Sequence, residues 1–334
     1  MSARLEVRDL TVHAGRPGQA PPILDHISLT LDSGEVLALV GESGSGKSMT
    51  AHSVLRMLPT GLHMHAEGLR LGDLDLLAAS SRALDGVRGR RISMLYQQPK
   101  RMLDPTATIG SQVAEPLRRH LGMSRQAARR RVVELLAAVG IPDPERRAGD
   151  HPHQMSGGMA QRVMIAMALA AHPDVLIADE PTTALDVTVE AQILRLIAAM
   201  QAETGMSVLF ISHDVTTVAS IADRIAVMYA GRIVEDGPAD EIITAAKHPY
   251  TQALLRCSTL QCDETGHLHT IPGNATSARA VSHGCRFRPR CAVADGDTEL
   301  GSHCDTEEPD LAGCGTRRSS RCWVTIDPRR QVPA

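Results

Sequence analysis

A chain of 334 residues has room for one large domain or two ordinary ones, and 43% apolar residues are enough for a core. Aromatic residues make up only 2%, so aliphatic side chains and methionine must do the packing; the net charge of -3 supplies neither a basic field for nucleic acid nor an acidic tail. The opening residues lack the charged, apolar, small order of a secretory signal, and no apolar run approaches the ~18 residues of a membrane span, so the sequence predicts a cytoplasmic chain that sits on a membrane only through partners.

In chain order, residues 4–12 alternate loosely and predict a strand. "ISLTLDSGEVLALVGESGSGKS" predicts two more, joined by the turn Asp32-Ser33-Gly34 and ending in a glycine-rich loop. A helix is expected from Lys47 to about Met57, before Pro59, and "RISMLY" reads as a buried strand. Residues 110–170 read as mostly helical: Ala128, Val132, Leu135, Leu136 and Val139 recur at helical spacing, and Gly140 can close that helix. "DVLIADE" and "SVLFISH" are short apolar runs of the kind covered on both faces, separated by a helix pattern that stops at Gly205. Strand, helix, strand in this order predicts parallel crossovers and an α/β class with an inserted helical block. After Asp240 one or two short helices are expected. From Gln261 onward Gly, Pro, Cys and His dominate, periodicity fades, and such a segment should need staples to hold a shape.

Gly41 to Ser48, "GESGSGKS", fits G-x-x-x-x-G-K-S between a strand and a helix. Gly41, Gly44 and Gly46 permit the backbone angles that turn amides of this loop, including those of Ser43 and Ser45, onto a phosphate, and the helix through Met49 adds its N-terminal dipole. Lys47 is placed for the β- and γ-phosphates and the Ser48 hydroxyl for Mg²⁺. Asp179 ends an apolar strand where an acid can hold that metal, and Glu180 beside it is a candidate general base for the attacking water. His213 follows another strand, in the region where open α/β sheets bind ligands. A second anion device, Ser156, Gly157 and Gly158 in "MSGGMAQR", opens a long apolar helix. Alone, that segment reads equally well as a helix cap before a core helix.

"GESGSGKS", "YQQP", "MSGGMAQR", "VLIADEPTTALD" and "ISHD" occur in that order over roughly the first 250 residues. The set resembles the ATP-binding subunit of an ABC transporter. The resemblance implies an ABC-type P-loop nucleotide-binding domain over residues 1–250: a RecA-like core, an antiparallel β subdomain and a helical subdomain at about 98–172. It implies that Gln97 senses Mg²⁺ and water and couples to membrane subunits, and that His213 is a switch histidine. Ala184, Leu185 and Asp186 would form the loop that crosses to a second subunit, while Ser156, Gly157 and Gly158 would bind the γ-phosphate of that subunit's ATP. Three positions depart from the usual pattern: Met159 replaces a glutamine, Gln98 an acidic residue, and His13-Ala14 the aromatic that stacks on adenine.

"KHPYTQALL" and "GCRFRPRC", "HCDTEEP" and "RCW" are similar to the dipeptide, oligopeptide and nickel importer branch. The resemblance implies a second homologous ATPase subunit, two transmembrane permease subunits and an extracytoplasmic solute-binding protein, all served from the cytoplasmic face of the inner membrane; peptide, nickel and metallophore stay open as solutes. Five of the seven cysteines fall in the last fifty residues, which in a cytosolic chain points to a metal more than to disulfides. Cys285, Cys291, Cys304 and Cys322, in an extension over 251–334, match a tail that holds a [4Fe–4S] cluster in some members. Four thiolates satisfy zinc as well, a tail without metal is the third reading, and spacing alone does not decide. Cys314 is an extra thiol that could compete for the fourth position; Cys257 and Cys262 read as structural or free. A soluble ABC ATPase working on ribosomes or DNA is the rival, but there is one ATP domain and no basic, aromatic-interleaved patch.

Overall fold

The computed structural model describes residues 5–15, 20–97, 99–183, 186–259, 267–275, 277–281 and 283–326. Gln98, Ala184, Leu185 and Cys262 lie outside the described residues. The strands are, in order, β1 (Leu5–Ala14), β2 (Leu24–Leu31), β3 (Val36–Val40), β4 (Leu62–His65), β5 (Gly68–Leu71), β6 (Leu74–Asp75), β7 (Ile92–Leu95), β8 (Val175–Asp179), β9 (Ser207–Ser212), β10 (Arg224–Tyr229), β11 (Arg232–Pro238), β12 (Ala312–Gly315) and β13 (Arg318–Ser320). The chain divides into two compact units. One comprises Met1–Leu5, Leu31–Glu35 and Arg70–Phe210; the other comprises Glu6–Thr30, Val36–Leu69 and Ile211–Ala334.

In the first unit β7 runs parallel to β8, with Ile92 opposite Val175 and Leu95 opposite Ala178, and β9 lies beside β8. Every residue of β8 and β9 is buried, as a strand covered on both faces requires. Three long helices dominate the inserted block: Ile109–Leu121, Arg125–Ala138 and Gly157–Leu169. Each starts where a hydroxyl can satisfy an orphan amide: Thr108, Ser124 and Ser156 accept from the backbone N–H three residues on. The middle helix buries Ala128, Val132, Leu135 and Leu136, the stripe read from sequence, and Gly140 follows at φ 75. The helix Val187–Thr204 ends on Gly205 in the left-handed conformation.

In the second unit β3 pairs parallel with β10, and β10 pairs antiparallel with β11. A smaller antiparallel set has the order β2-β1-β5, with β4 also on β1. Along β1 the buried residues are Leu5, Val7, Leu10 and Val12: Asp9, at φ 52, spends one extra residue and resets the alternation. The extension after residue 250 belongs to this unit. Its hairpin β12–β13 continues the sheet, Ser320 pairing with Glu235 and Ser319 with Asp236.

Buried charges tie the extension down. Glu235 is fully buried and accepts from the Arg318 guanidinium at 2.8 Å and from the backbone amides of Lys247 and His248 at 2.8 and 2.9 Å. Asp25 on β2 accepts from Arg232 at 2.8 Å and from Arg286 of the extension. Burial alone would raise the Asp25 carboxyl; the two guanidinium groups, Arg232 foremost, hold it below the usual carboxylate range.

His248 caps the helix Pro249–Ser258, its Nδ1 accepting from the Tyr250 amide at 3.0 Å. Burial lowers its pKa to about 3. The unfolded chain, with an ordinary histidine, therefore binds more protons between about 3 and 6.5, and stability falls as pH drops through that window by up to about 1.4 kcal/mol per unit. His248→Asn keeps an acceptor at the cap and removes the titration. Denaturant unfolding between pH 7 and 4.5 should show a shallower loss in this variant than in the parent.

Candidate functional site

The phosphate loop sits in the second unit, on the end of β3, whose five residues are all buried. Gly41, Gly44 and Gly46 have φ values of 152, 78 and 116, in the region that penalises a side chain. Gly41 also lacks room: a Cβ there would stand 2.2 Å from the Met228 carbonyl oxygen at the end of β10. At Gly46 it would stand 2.6 Å from Leu24. Lys47 is 4% exposed, and its ammonium donates to the carbonyls of Gly41 at 2.8 Å and Glu42 at 3.0 Å. Ser43, Gly44 and Ser48 are exposed, while the Ser45 hydroxyl is buried with no hydrogen-bond partner among the described residues. The helix Lys47–Val54, three residues shorter than expected, ends before Arg56, which takes a left-handed conformation at φ 50. A buried cation and an orphaned hydroxyl at a helix N-terminus have the chemistry of a candidate anion site.

In the first unit Gln97, just past β7, donates its amide N–H to the Glu180 carboxylate at 2.8 Å. The Thr183 hydroxyl donates to the same oxygen at 2.9 Å. Glu180 has φ 45, a costly angle for a residue with a side chain, held by the turn in which the Thr183 amide bonds the Glu180 carbonyl. Asp179, 6% exposed, ends β8. Thr183 carries no sequence signal for this role; only the folded turn brings it to Glu180. The Asp179 carboxylate is a hard oxygen donor of the kind that Mg²⁺ takes.

Ser156 is exposed and caps the helix Gly157–Leu169, its hydroxyl accepting from the Met159 amide at 3.2 Å. A Cβ on Gly158 would press on Val189 at 3.0 Å. Asp186 caps the helix Val187–Thr204, accepting from the Val189 amide at 2.9 Å. His213 is exposed, one residue past β9. On β1, opposite His63, His13 buries an Nδ1 with no partner among the described residues.

A family described as ABC transporter matches residues 24–183, and one described as oligopeptide/dipeptide transporter, C-terminal region, matches residues 234–297. The dipeptide transport ATP-binding protein DppD of Haemophilus influenzae is 44% identical over 316 residues, covering 95% of this chain and 94% of that protein. The oligopeptide transport ATP-binding protein OppD of Bacillus subtilis is 46% identical over 293 residues, 87% of this chain and 82% of that one. The chain belongs to the ABC transporter ATP-binding protein family. Its fold is likewise that of the cassettes: the dimeric structure of MJ0796, a bacterial ABC transporter cassette, aligns with a TM-score of 0.61 at 27% identity, over 70% of this chain and 98% of that one. It is an ABC-type ATPase, for which ATP and Mg²⁺ are the expected ligands. No helix among the described residues is long and apolar enough to cross a membrane.

The four matched cysteines are brought together. Cys285, Cys291, Cys304 and Cys322 line one pocket of about 10 Å³, alongside Phe287 and Trp323, which leaves room for about one water. Burial pushes the Cys285 and Cys322 thiols up to about 12, so both are protonated at neutral pH. Among the described residues no three His, Cys, Asp or Glu side chains stand in metal-holding geometry. Cys314 is on β12 and does not line that pocket, and all six described cysteines are free thiols.

Gly41→Ala combines a forbidden approach with a costly angle and should destabilise the fold by about 2 kcal/mol or more, read by urea unfolding. Gly205→Ala, at a helix end where nothing stands within 4 Å, carries only the cost of its left-handed angle, about 1 kcal/mol.

Proposed function

We propose that this chain is the ATP-hydrolysing subunit of an importer for di- and oligopeptides, at the cytoplasmic face of the inner membrane. Its near full-length identity to dipeptide and oligopeptide transport ATP-binding proteins carries this reading. Those relatives favour peptides over nickel or a metallophore as the solute. Partners in the reading are a second, homologous ATPase subunit, two permease subunits and a solute-binding protein. The working division is a nucleotide-binding domain over 1–250, with a helical subdomain at 98–172, and an extension over 251–334.

Each residue then has a task. Gly41, Ser43, Gly44, Ser45, Gly46, Ser48 and Met49 with the Lys47 ammonium receive the phosphates; Ser48, Gln97 and Asp179 hold Mg²⁺. Glu180 takes a proton from the attacking water, with Gln97 and Thr183 fixing its carboxylate, and His213 contacts the γ-phosphate. Ser156, Gly157 and Gly158 face the partner subunit's ATP, and Asp186 stands at the crossing. The exposed Ser156 supports a surface that closes on a second subunit. ATP bound between two such surfaces stabilises the closed pair, and hydrolysis releases it.

Glu180→Gln should lower turnover of the assembled transporter by about 10²-fold or more while leaving MgATP binding intact. Equal turnover in the variant would remove Glu180 as the base. Affinity capture of the chain from solubilised membranes should bring two polytopic proteins and a second ATPase, and deletion of the gene should abolish uptake of labelled peptides. Capture of ribosomes in their place would move the chain to the soluble ATPases.

The gathered thiols support a [4Fe–4S] cluster held by Cys285, Cys291, Cys304 and Cys322, with zinc as the alternative. Four cysteine thiolates suit either. The thiolate is the ligating form, so loading would release the thiol protons. Anaerobic purification should give about four iron and four sulfide per chain and visible charge-transfer absorption, lost in Cys291→Ser; stoichiometric zinc without iron selects the alternative.

A further inference from the structure

The phosphate loop begins with an acidic residue that the ATP reading does not use. Glu42 follows Gly41, directly before the exposed Ser43 and Gly44. A carboxylate in a loop that receives a triphosphate opposes its ligand unless a cation compensates it. That cation comes from nearly 250 residues away. Arg290, only 5% exposed, sets both terminal nitrogens against the Glu42 carboxylate, at 3.2 and 3.3 Å. Its guanidinium also lies over the Tyr229 ring, 5.6 Å from the centroid, and donates to the Tyr229 hydroxyl at 3.3 Å and to the carbonyls of Ile271 and Pro272.

Glu42 is held at its amide, its carbonyl and one carboxylate oxygen. Its amide donates to the Tyr250 hydroxyl at 2.9 Å, its carbonyl accepts from Lys47 at 3.0 Å, and its carboxylate meets Arg290. The Lys47 ammonium that the phosphates need is thus fixed on a residue that Arg290 fixes in turn. Phe287, three residues before Arg290, stacks edge-on against both Tyr229 and Tyr250, at 5.2 and 5.4 Å. Another guanidinium of the extension, Arg279, donates to the Gly44 carbonyl. The loop is held from behind by the C-terminal extension.

We propose that Arg290 is a positioning residue for the ATP site: it cancels the Glu42 charge and holds the first turn of the phosphate loop, so the extension sets nucleotide affinity. The inference rests on the ATP reading above. Its test is MgATP binding to the purified full-length chain by calorimetry, beside thermal unfolding without nucleotide. Arg290→Ala should weaken MgATP binding about tenfold or more. Adding Glu42→Gln to that variant removes the exposed negative charge and should bring affinity back to within about threefold of the parent. A merely structural arginine would lower the melting temperature without that rescue. An unchanged affinity in Arg290→Ala, or a loss that the double variant does not relieve, overturns the proposal. Should Arg290→Ala not fold, Arg290→Lys decides: the retained charge predicts affinity within about threefold of the parent, and a tenfold loss overturns it. Lys47→Ala is the control for the underlying reading: MgATP binding that survives it overturns the ATP site itself, and the Arg290 proposal with it.

Discussion

The close approach of Gly41 to the Met228 carbonyl governs the second unit. The loop leaves β3 by passing so near the end of β10 that no side chain fits. That contact is possible because β3 and β10 pair in parallel, with Val40 opposite Val227, and so end at the same level. The β10 ladder shifts register between Val227 and Met228, which sets the Met228 carbonyl where the loop passes. Once the loop is seated, the Gly41 and Glu42 carbonyls face the Lys47 ammonium, and the helix starts with its cation already placed. The anion site is thus a consequence of strand pairing, with the glycines as the condition that lets the chain pass.

Much of this was legible. Fully apolar runs became strands buried on both faces, and Gly140 and Gly205 ended the helices they were expected to end. The phosphate loop, Asp179 and Glu180 were legible because each is a local pattern beside a strand. The short strands β4, β5, β6, β12 and β13 were not. They contain His, Gly, Asp and Ser, which carry little strand preference, and they exist because a neighbour offers a ladder. Thr183 on Glu180 and Arg290 on Glu42 were illegible for a different reason. A threonine in a turn and an arginine in a tail have no pattern of their own, and the second pair spans 248 positions.

The scarcity of aromatic residues sharpens the role of the extension. The chain has three tyrosines and two phenylalanines, yet Tyr229, Tyr250 and Phe287 gather in one cluster. Rings pack large apolar area at low conformational cost, and the two hydroxyls still reach polar partners. Here those partners are the Glu42 amide and Arg290. The stiffest packing available to this composition therefore lies directly behind the loop.

The sequence suggested that the tail would need metal to hold its shape. The described residues offer another support. The extension is fixed by a strand added to β11, by Arg318 on the buried Glu235 and by Arg286 on Asp25. Buried ion pairs of this kind contribute modest net stability, because desolvation offsets their attraction, but breaking one strands a charge and is costly. They therefore specify where the tail docks more than they strengthen it. The thiols are then spared the structural task. Burial holds the Cys285 and Cys322 thiols protonated, beside Cys291 and Cys304, in a pocket with space for about one water. Arg290 immediately precedes Cys291, so the wall of the thiol pocket and the support of Glu42 are adjacent in the chain.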